Sequence, residues 1–260
     1  MPYQTLLYEK RDGILIITMN RPEVYNAFNE QMKKEMNEAL KKAEKDTEVR
    51  CVVIRGAGEK AFCSGQDMKE HTTQKRSLKD SLEESYNPMI RRIRTMEKPV
   101  VAMLQGVAAG AGCSLALACD MRIASDKARL IEVFIRIGLV PDSGSHWFLT
   151  RLVGLGKAFE LASLGDEIPA DEALRLGLVN KVVPTQQLEE ETMKIAERLA
   201  QGPTKAFGLI KRALNKAVFS DLDTILQYEA FIQEIASRTE DHREGVQAFL
   251  EKRPARFKGR

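Results

Sequence analysis

Two glycine-rich stretches and a few carboxylate, hydroxyl and imidazole side chains are where this 260-residue sequence could do chemistry. Gly110-Ala111-Gly112-Cys113-Ser114-Leu115 begins like a dinucleotide fingerprint, but Leu115 stands where Gly or Ala is needed. Asp120 comes too soon to be the acidic residue that meets a ribose. Gly154-Leu155-Gly156-Lys157 has a GK pair, yet Arg151 occupies the first P-loop glycine position and Ala158 follows the lysine. Both mismatches argue against nicotinamide and nucleoside-triphosphate binding. The first stretch keeps another use, because small residues opening a helix leave free N–H groups that can meet an oxyanion at close range. Tight strand–helix packing explains the same residues equally well. Asp142, in Val140-Pro141-Asp142-Ser143-Gly144, reads by itself as a turn or N-cap aspartate. His146 follows four residues later at helical spacing and suits a surface or supporting role. His71 and His242 read as exposed polar positions, and Glu132 as an inward carboxylate if its segment is a strand.

Those residues need a scaffold, and the pattern supplies one. A hairpin is expected from Thr5–Glu9, the turn Arg11-Asp12-Gly13 and Ile14–Met19. Met32, Met36, Ala39, Leu40 and Ala43 recur at helical spacing over 29–45. Cys51–Ile54 and Val100–Leu104 are apolar runs that suit strands buried on both faces. A helix is expected over Ser81–Met96, another over Cys113–Ala118, and a strand over Asp120–Ala124. This alternation points to an α/β fold of repeated ββα or βαβ units. Past Trp147 the pattern reads as helices only: 147–152, 157–164, 171–176, 187–200, 203–216, 222–239 and 243–253. The expected organisation is a core over 1–200 and a helical region over 201–260.

Bulk numbers remove several function classes. A net charge of +3 gives no overall drive toward nucleic acid, although 40 Lys and Arg leave room for a local phosphate patch. Cys51, Cys63, Cys113 and Cys119 form no CxxC pair and have no His at ligand spacing, so no metal site is expected. With no signal-like N-terminus and no long apolar run, the expectation is a cytoplasmic protein in a reducing compartment, off the membrane.

Three segments taken together resemble the crotonase (enoyl-CoA hydratase/isomerase) superfamily. They are Lys60-Ala61-Phe62-Cys63-Ser64-Gly65-Gln66-Asp67, then Lys98-Pro99-Val100 with Gly106 to Gly112, then Ile137-Gly138-Leu139-Val140-Pro141-Asp142-Ser143-Gly144. Their order and separation agree over almost the full length, including Asn20-Arg21-Pro22 and the helical tail. The resemblance implies a crotonase-like ββα spiral with a C-terminal helical trimerisation region, assembled as a trimer or a dimer of trimers. It implies an acyl-CoA thioester whose carbonyl is gripped by the Gln66 and Ala111 amides, with coenzyme A as part of the substrate and no tightly bound cofactor. Because these are backbone donors, the Gln66 side chain is expected to be free to vary. Residues expected along the coenzyme are Arg21, Ala27, Ala61, Gly65, Gln66, Asp67, Met68, Lys69 and Ala111, with Lys60 near the phosphates and Phe257-Lys258 reaching a neighbouring subunit.

The two glutamates that hydratases of the family use align with Ser114 and Phe134. Neither replaces a carboxylate base. Asp142 survives where isomerase branches carry an aspartate, and Phe134, Leu139 and Trp147 are candidate walls that would raise its pKa. Within the superfamily the resemblance is strongest to the 1,2-epoxyphenylacetyl-CoA isomerases of phenylacetate breakdown. The supporting stretches are Tyr86-Asn87-Pro88, Gly106 to Gly112, Gly138 to Asp142 with Trp147, and His242 to Leu250. Ser145-His146 departs from that pattern, which more often has glycine and threonine. The implied activity is double-bond or ring-epoxide isomerisation with Asp142 as acid/base. The alternatives are a hydratase-like member, a dehalogenase-like member using Asp142 as nucleophile, and a non-catalytic acyl-CoA-binding protein.

Overall fold

The structure, a computed structural model, describes residues 2–72 and 77–260. The position expected for the His71 side chain lies outside the described residues. In chain order the strands are β1 Leu6–Arg11, β2 Ile14–Met19, β3 Cys51–Gly56, β4 Ala61–Cys63, β5 Val100–Leu104, β6 Val107–Ala109, β7 Met121–Ser125, β8 Arg129–Ile131, β9 Ile168–Pro169 and β10 Lys181–Val183. The helices are α1 Glu30–Lys45, α2 Met68–His71, α3 Leu78–Ser81, α4 Asn87–Thr95, α5 Ala111–Ala118, α6 Ser145–Leu164, α7 Ala170–Arg175, α8 Leu188–Gln201, α9 Thr204–Ala217, α10 Leu222–Ser237 and α11 Glu240–Leu250. A π turn, Leu82–Tyr86, joins α3 to α4.

Asp12 and Gly13 both have positive φ, the backbone a two-residue hairpin turn requires, and they set the β1–β2 register. The Asn29 side chain accepts from the Met32 amide and so caps α1 at the residue where the apolar period begins. β2, β3, β5, β7 and β10 then pair in parallel, giving a six-stranded sheet in the order β1-β2-β3-β5-β7-β10. Alternate residues along the central strands feed two cores. Leu15, Ile17, Val52, Ile54 and Ala102 pack toward α1, α4 and α5. Ile14, Ile16, Val53, Val101 and Met103 pack toward Met193 and Ala196 of α8. Burial on both faces is why these strands read as unbroken apolar runs.

A second sheet has the order β4-β6-β8-β9. Each of β3, β5 and β7 hands the chain to a three-residue strand of this smaller sheet before the next helix or loop, which generates the ββα spiral. The expectation of helices alone past Trp147 is corrected here. β9 closes the small sheet and β10 completes the large one. With two and three residues, these strands are too short to show a period of two. The two helices expected over 147–164 are one run interrupted at Gly154, whose φ of +74° is non-helical. Lys157 there pairs with Glu160, so the GK pair is a helix surface and not a phosphate loop.

Residues 201–260 hold α9 to α11 and the tail. Lys211 of α9 is buried against Asp120 at 2.6 Å and donates to the Ile93 and Lys98 carbonyls, which pins this helix to the core. Phe257 and Lys258 fold back on their own chain, where Arg50 donates to the Phe257 carbonyl and Asp241 accepts the Lys258 amide.

Candidate active site

The C-terminal ends of β4, β6 and β8 lie side by side because these strands are parallel neighbours. β4 runs into Ser64-Gly65-Gln66, β6 into Gly110-Ala111, and β8 into Glu132-Val133-Phe134. Three stretches far apart in sequence thus meet at one edge, the usual place for a ligand beside parallel strands.

Two backbone donors converge there. Ala111 is the first residue of α5, so its N–H has no carbonyl one turn back in the helix. Gln66 sits in an isolated parallel bridge with Phe28. That bridge uses the Gly65 carbonyl and the Asp67 amide, at 2.7 and 2.9 Å, and leaves the Gln66 amide outside the ladder. A methyl group on Gly65 would lie 2.9 Å from the Ala109 oxygen and 3.3 Å from the Ala111 nitrogen. Only glycine allows this approach, and Gly65 also has a φ of +95°. Pointed at a shared spot, two such N–H groups can hold a developing oxyanion.

The Gln66 side chain is not free, contrary to the expectation from its backbone role. Its Oε1 accepts from the Tyr86 hydroxyl at 2.7 Å and from Lys33 Nζ at 3.4 Å. Both partners are buried. Tyr86 meets Phe28 edge-on at 5.6 Å, so the residue paired with Gln66 and the residue anchoring it are packed together. Burial, then the charges of Cys63 and Asp142, push the Tyr86 phenol well above its ordinary pKa, which keeps it a neutral donor. These partners are 33 and 20 positions away, and sequence spacing gave no sign of them.

Asp142 opens a tight turn. Ser143 and Gly144 both have positive φ, and the Ser145 amide donates to the Asp142 carbonyl at 3.0 Å. The N-cap of α6 is therefore Gly144, with no side-chain capping bond. The Asp142 carboxyl is not spent on capping the helix, so of the two structural readings of this residue the N-cap is removed and the turn position stands. It is half-buried and accepts from the Ser143 hydroxyl at 2.8 Å. Burial raises its pKa, opposed by the Ser143 bond and by His146. The His146 side chain is exposed, in keeping with a supporting position, as is His242.

The two positions expected to lack carboxylates are both buried. Ser114 donates to the Gly110 carbonyl at 3.2 Å and to the Asp142 carbonyl at 3.1 Å. The Phe134 ring lies over the glycine turn, with Cζ 3.8 Å from where a Gly110 methyl would sit. Leu139 is half-buried nearby in sequence. Trp147 packs edge-on against Phe148 at 5.0 Å and tilts onto Phe219 in the turn after α9, with Arg151 over the Trp147 and Phe219 rings. It joins α6 to the C-terminal helices. Glu132 is fully buried, and it accepts from the Ser145 hydroxyl at 3.0 Å.

The residues expected along the coenzyme divide into braces and rim. Arg21 pairs with Asp67 at 2.9 Å and donates to the Ala27 carbonyl at 2.7 Å. Its guanidinium thus ties two loops together. Asp67 also caps α2 by accepting from the Lys69 and Glu70 amides. Ala61 is buried, and its carbonyl accepts from Asn26 and Gln105. Met68, Lys69 and Lys60 are exposed around this edge. Among the described residues no group of three or more metal-ligating side chains occurs, and no helix is long and apolar enough to cross a membrane.

Known proteins share this architecture. The sequence profile described as enoyl-CoA hydratase/isomerase matches residues 9–260. The chain is 42% identical over 260 residues to a probable enoyl-CoA hydratase of Rhodobacter capsulatus, covering all of both chains. It is 40% identical over 259 residues to the 1,2-epoxyphenylacetyl-CoA isomerase of Escherichia coli, covering 98% of each. The crystal structure of the enoyl-CoA hydratase from Bacillus anthracis superposes with a TM-score of 0.94 at 34% identity, over 99% of this chain and 100% of the other.

Proposed function

The chain belongs to the enoyl-CoA hydratase/isomerase family, and from that premise we propose that it is a cytoplasmic acyl-CoA isomerase with Asp142 as its acid/base. The observation that carries this reading is the division of carboxylates. Ser114 and Phe134 fill the two places where a hydratase of the family would hold glutamates, while the Asp142 carboxyl is half-buried and free of any capping duty. In the proposed reaction Asp142 takes a proton from the carbon next to the thioester of an unsaturated acyl-CoA. The C–H electron pair moves into the conjugated system and onto the thioester oxygen, where the Gln66 and Ala111 amides meet the charge. Asp142 then returns the proton at the far end of that system. Mass is conserved and one carboxyl suffices. The 1,2-epoxyphenylacetyl-CoA isomerase relative makes a ring-epoxide thioester the other substrate class to try.

The test is the mass of the product. Given a 3-enoyl-CoA, the purified protein should move the double bond without a change in mass. Efficient addition of water to a 2-enoyl-CoA, with no migration of a 3-enoyl bond, would refute the reading. The hydratase names among the relatives make that comparison necessary.

The Tyr86 anchor gives a second expectation. Tyr86→Phe removes one donor from Gln66 and should lower kcat/KM by roughly 3- to 10-fold, the worth of one net hydrogen bond. Steady-state kinetics checks it, and an unchanged kcat/KM would mean the Gln66 amide holds its place without the phenol.

We further propose assembly as a trimer or dimer of trimers through the C-terminal helices. Phe219, Leu222, Leu226, Phe231, Phe249 and Leu250 are large apolar side chains that are each more than half exposed, a pattern that marks an association surface. Sedimentation should give three or six times the 29.2 kDa chain mass. A monomer would refute it.

A further inference from the structure

Glu132 has no part in the reaction proposed above, yet it is a fully buried carboxyl at the site's edge. Its Oε2 has no nitrogen or oxygen donor among the described residues, and the neighbouring Cys113 thiol, a weak donor, is the group left to favour its charge. Its Oε1 accepts from Ser145 Oγ at 3.0 Å, Ser145 Oγ lies 2.8 Å from Ser114 Oγ, and Ser114 Oγ lies 3.1 Å from the Asp142 carbonyl oxygen. All three side chains are completely buried, so bulk water does not enter the row. An orphaned buried carboxyl oxygen is costly when ionised and calls for an explanation.

The row has one hydrogen per hydroxyl, so it can point only one way at a time. With Glu132 ionised, Ser145 donates to it, Ser114 donates to Ser145, and the Asp142 carbonyl loses its hydroxyl donor. With Glu132 protonated, the carboxyl donates to Ser145, Ser145 donates to Ser114, and the Ser114 hydrogen is free for the Asp142 and Gly110 carbonyls, 3.1 and 3.2 Å away. We propose that Glu132 is a positioning residue for Asp142, its carboxyl deciding through Ser145 and Ser114 whether the acid/base turn keeps that donor. The inference rests on the reading of Asp142 as acid/base.

Supporting this, burial pushes the Glu132 carboxyl up to about 7, opposed by Ser145 and Cys113 and reinforced by Asp142. The titratable groups facing it are Cys113 on α5 and Asp142 in the turn ahead of α6, and His146 in turn faces Asp142. Burial drives the Cys113 thiol well above its ordinary value, so it does not titrate in this range.

The sign follows. Activity should rise with pH as Asp142 ionises, then fall as pH passes about 7 and Glu132 ionises. Glu132→Gln keeps the shape and an N–H donor but cannot titrate, so the falling limb should vanish while the rising limb stays. Ser114→Ala cuts the row without touching Glu132 and should also flatten the falling limb, at a lower plateau. His146→Gln should keep it. The experiment is kcat against pH for these proteins and wild type, with circular dichroism melts to confirm folding. A falling limb that persists in Glu132→Gln, or disappears in His146→Gln, overturns the inference. Asp142→Asn run alongside separates the two failures: if it is inactive while Glu132→Gln keeps the wild-type profile, only the positioning role is lost.

Discussion

Asp142→Asn is expected to lower kcat by a factor of about 10³, within the 10²–10⁴ that a positioned acid/base supplies, while the acyl-CoA dissociation constant changes by less than about threefold. The split follows from geometry. Among the described residues the Asp142 carboxyl accepts one side-chain bond, from Ser143, and it does not cap α6. Asparagine preserves the shape and can still meet the Ser143 hydroxyl, so the turn should survive. What it cannot do is accept and return a proton at neutral pH. The Gln66 and Ala111 donors are main-chain groups on other elements and are left intact. Stopped-flow or steady-state turnover of a 3-enoyl-CoA, with calorimetric titration of a saturated acyl-CoA, reads both quantities. A mutant that loses binding along with turnover would place Asp142 in substrate recognition.

The second large effect is expected from Gly65→Ala, with kcat reduced by about 10²–10³, the loss typical of one oxyanion donor. The added methyl would sit 2.9 Å from the Ala109 oxygen and 3.3 Å from the Ala111 nitrogen, and both are backbone atoms. Relief requires the loop after β4 to move away from the turn after β6, which separates the two amides. The φ of +95° adds strain of its own. Gly156→Ala is the matching control, since a methyl there meets nothing within 4 Å and its backbone is ordinary helix. Wild-type turnover in Gly65→Ala would show that these amides do not act together.

Much of the scaffold was legible because the sequence states it locally. The Asp12-Gly13 turn, the helical spacing from Met32 to Ala43 and the apolar runs of β3 and β5 each carry their own signal, and the structure places them within a residue or two. β4, β6 and β8 did not announce themselves. With three residues apiece they show no alternation, and they form only because parallel neighbours complete their hydrogen bonds. The site lies at their ends, so its geometry was out of reach even where its residues could be named. The same holds for side chains whose partners are remote. Gln66 was expected to be unconstrained, but Lys33 and Tyr86 hold it. The bridge that Arg21 makes between Asp67 and Ala27 was equally invisible in the sequence, since its ion-pair partner is 46 positions away. Asp142 by itself reads as a turn or cap aspartate and by resemblance as an acid/base, and only the structure shows that Gly144 takes the cap position with no side-chain capping bond. The Glu132 row needs β8, α5 and α6 together, and no window of sequence contains all three.

The central claim is that one aspartate moves the proton, and the most direct measurement is hydrogen exchange into substrate in D2O. Wild-type protein given a 3-enoyl-CoA should yield the 2-enoyl isomer with deuterium at the carbon that gains the proton, to the extent that Asp142 exchanges with solvent before returning it. Recovered substrate should carry deuterium at the carbon next to the thioester. Asp142→Asn, with binding confirmed, should show neither isomer nor label. Label or isomer appearing in the mutant at the wild-type rate would mean that another group abstracts the proton, and the assignment of Asp142 would be wrong.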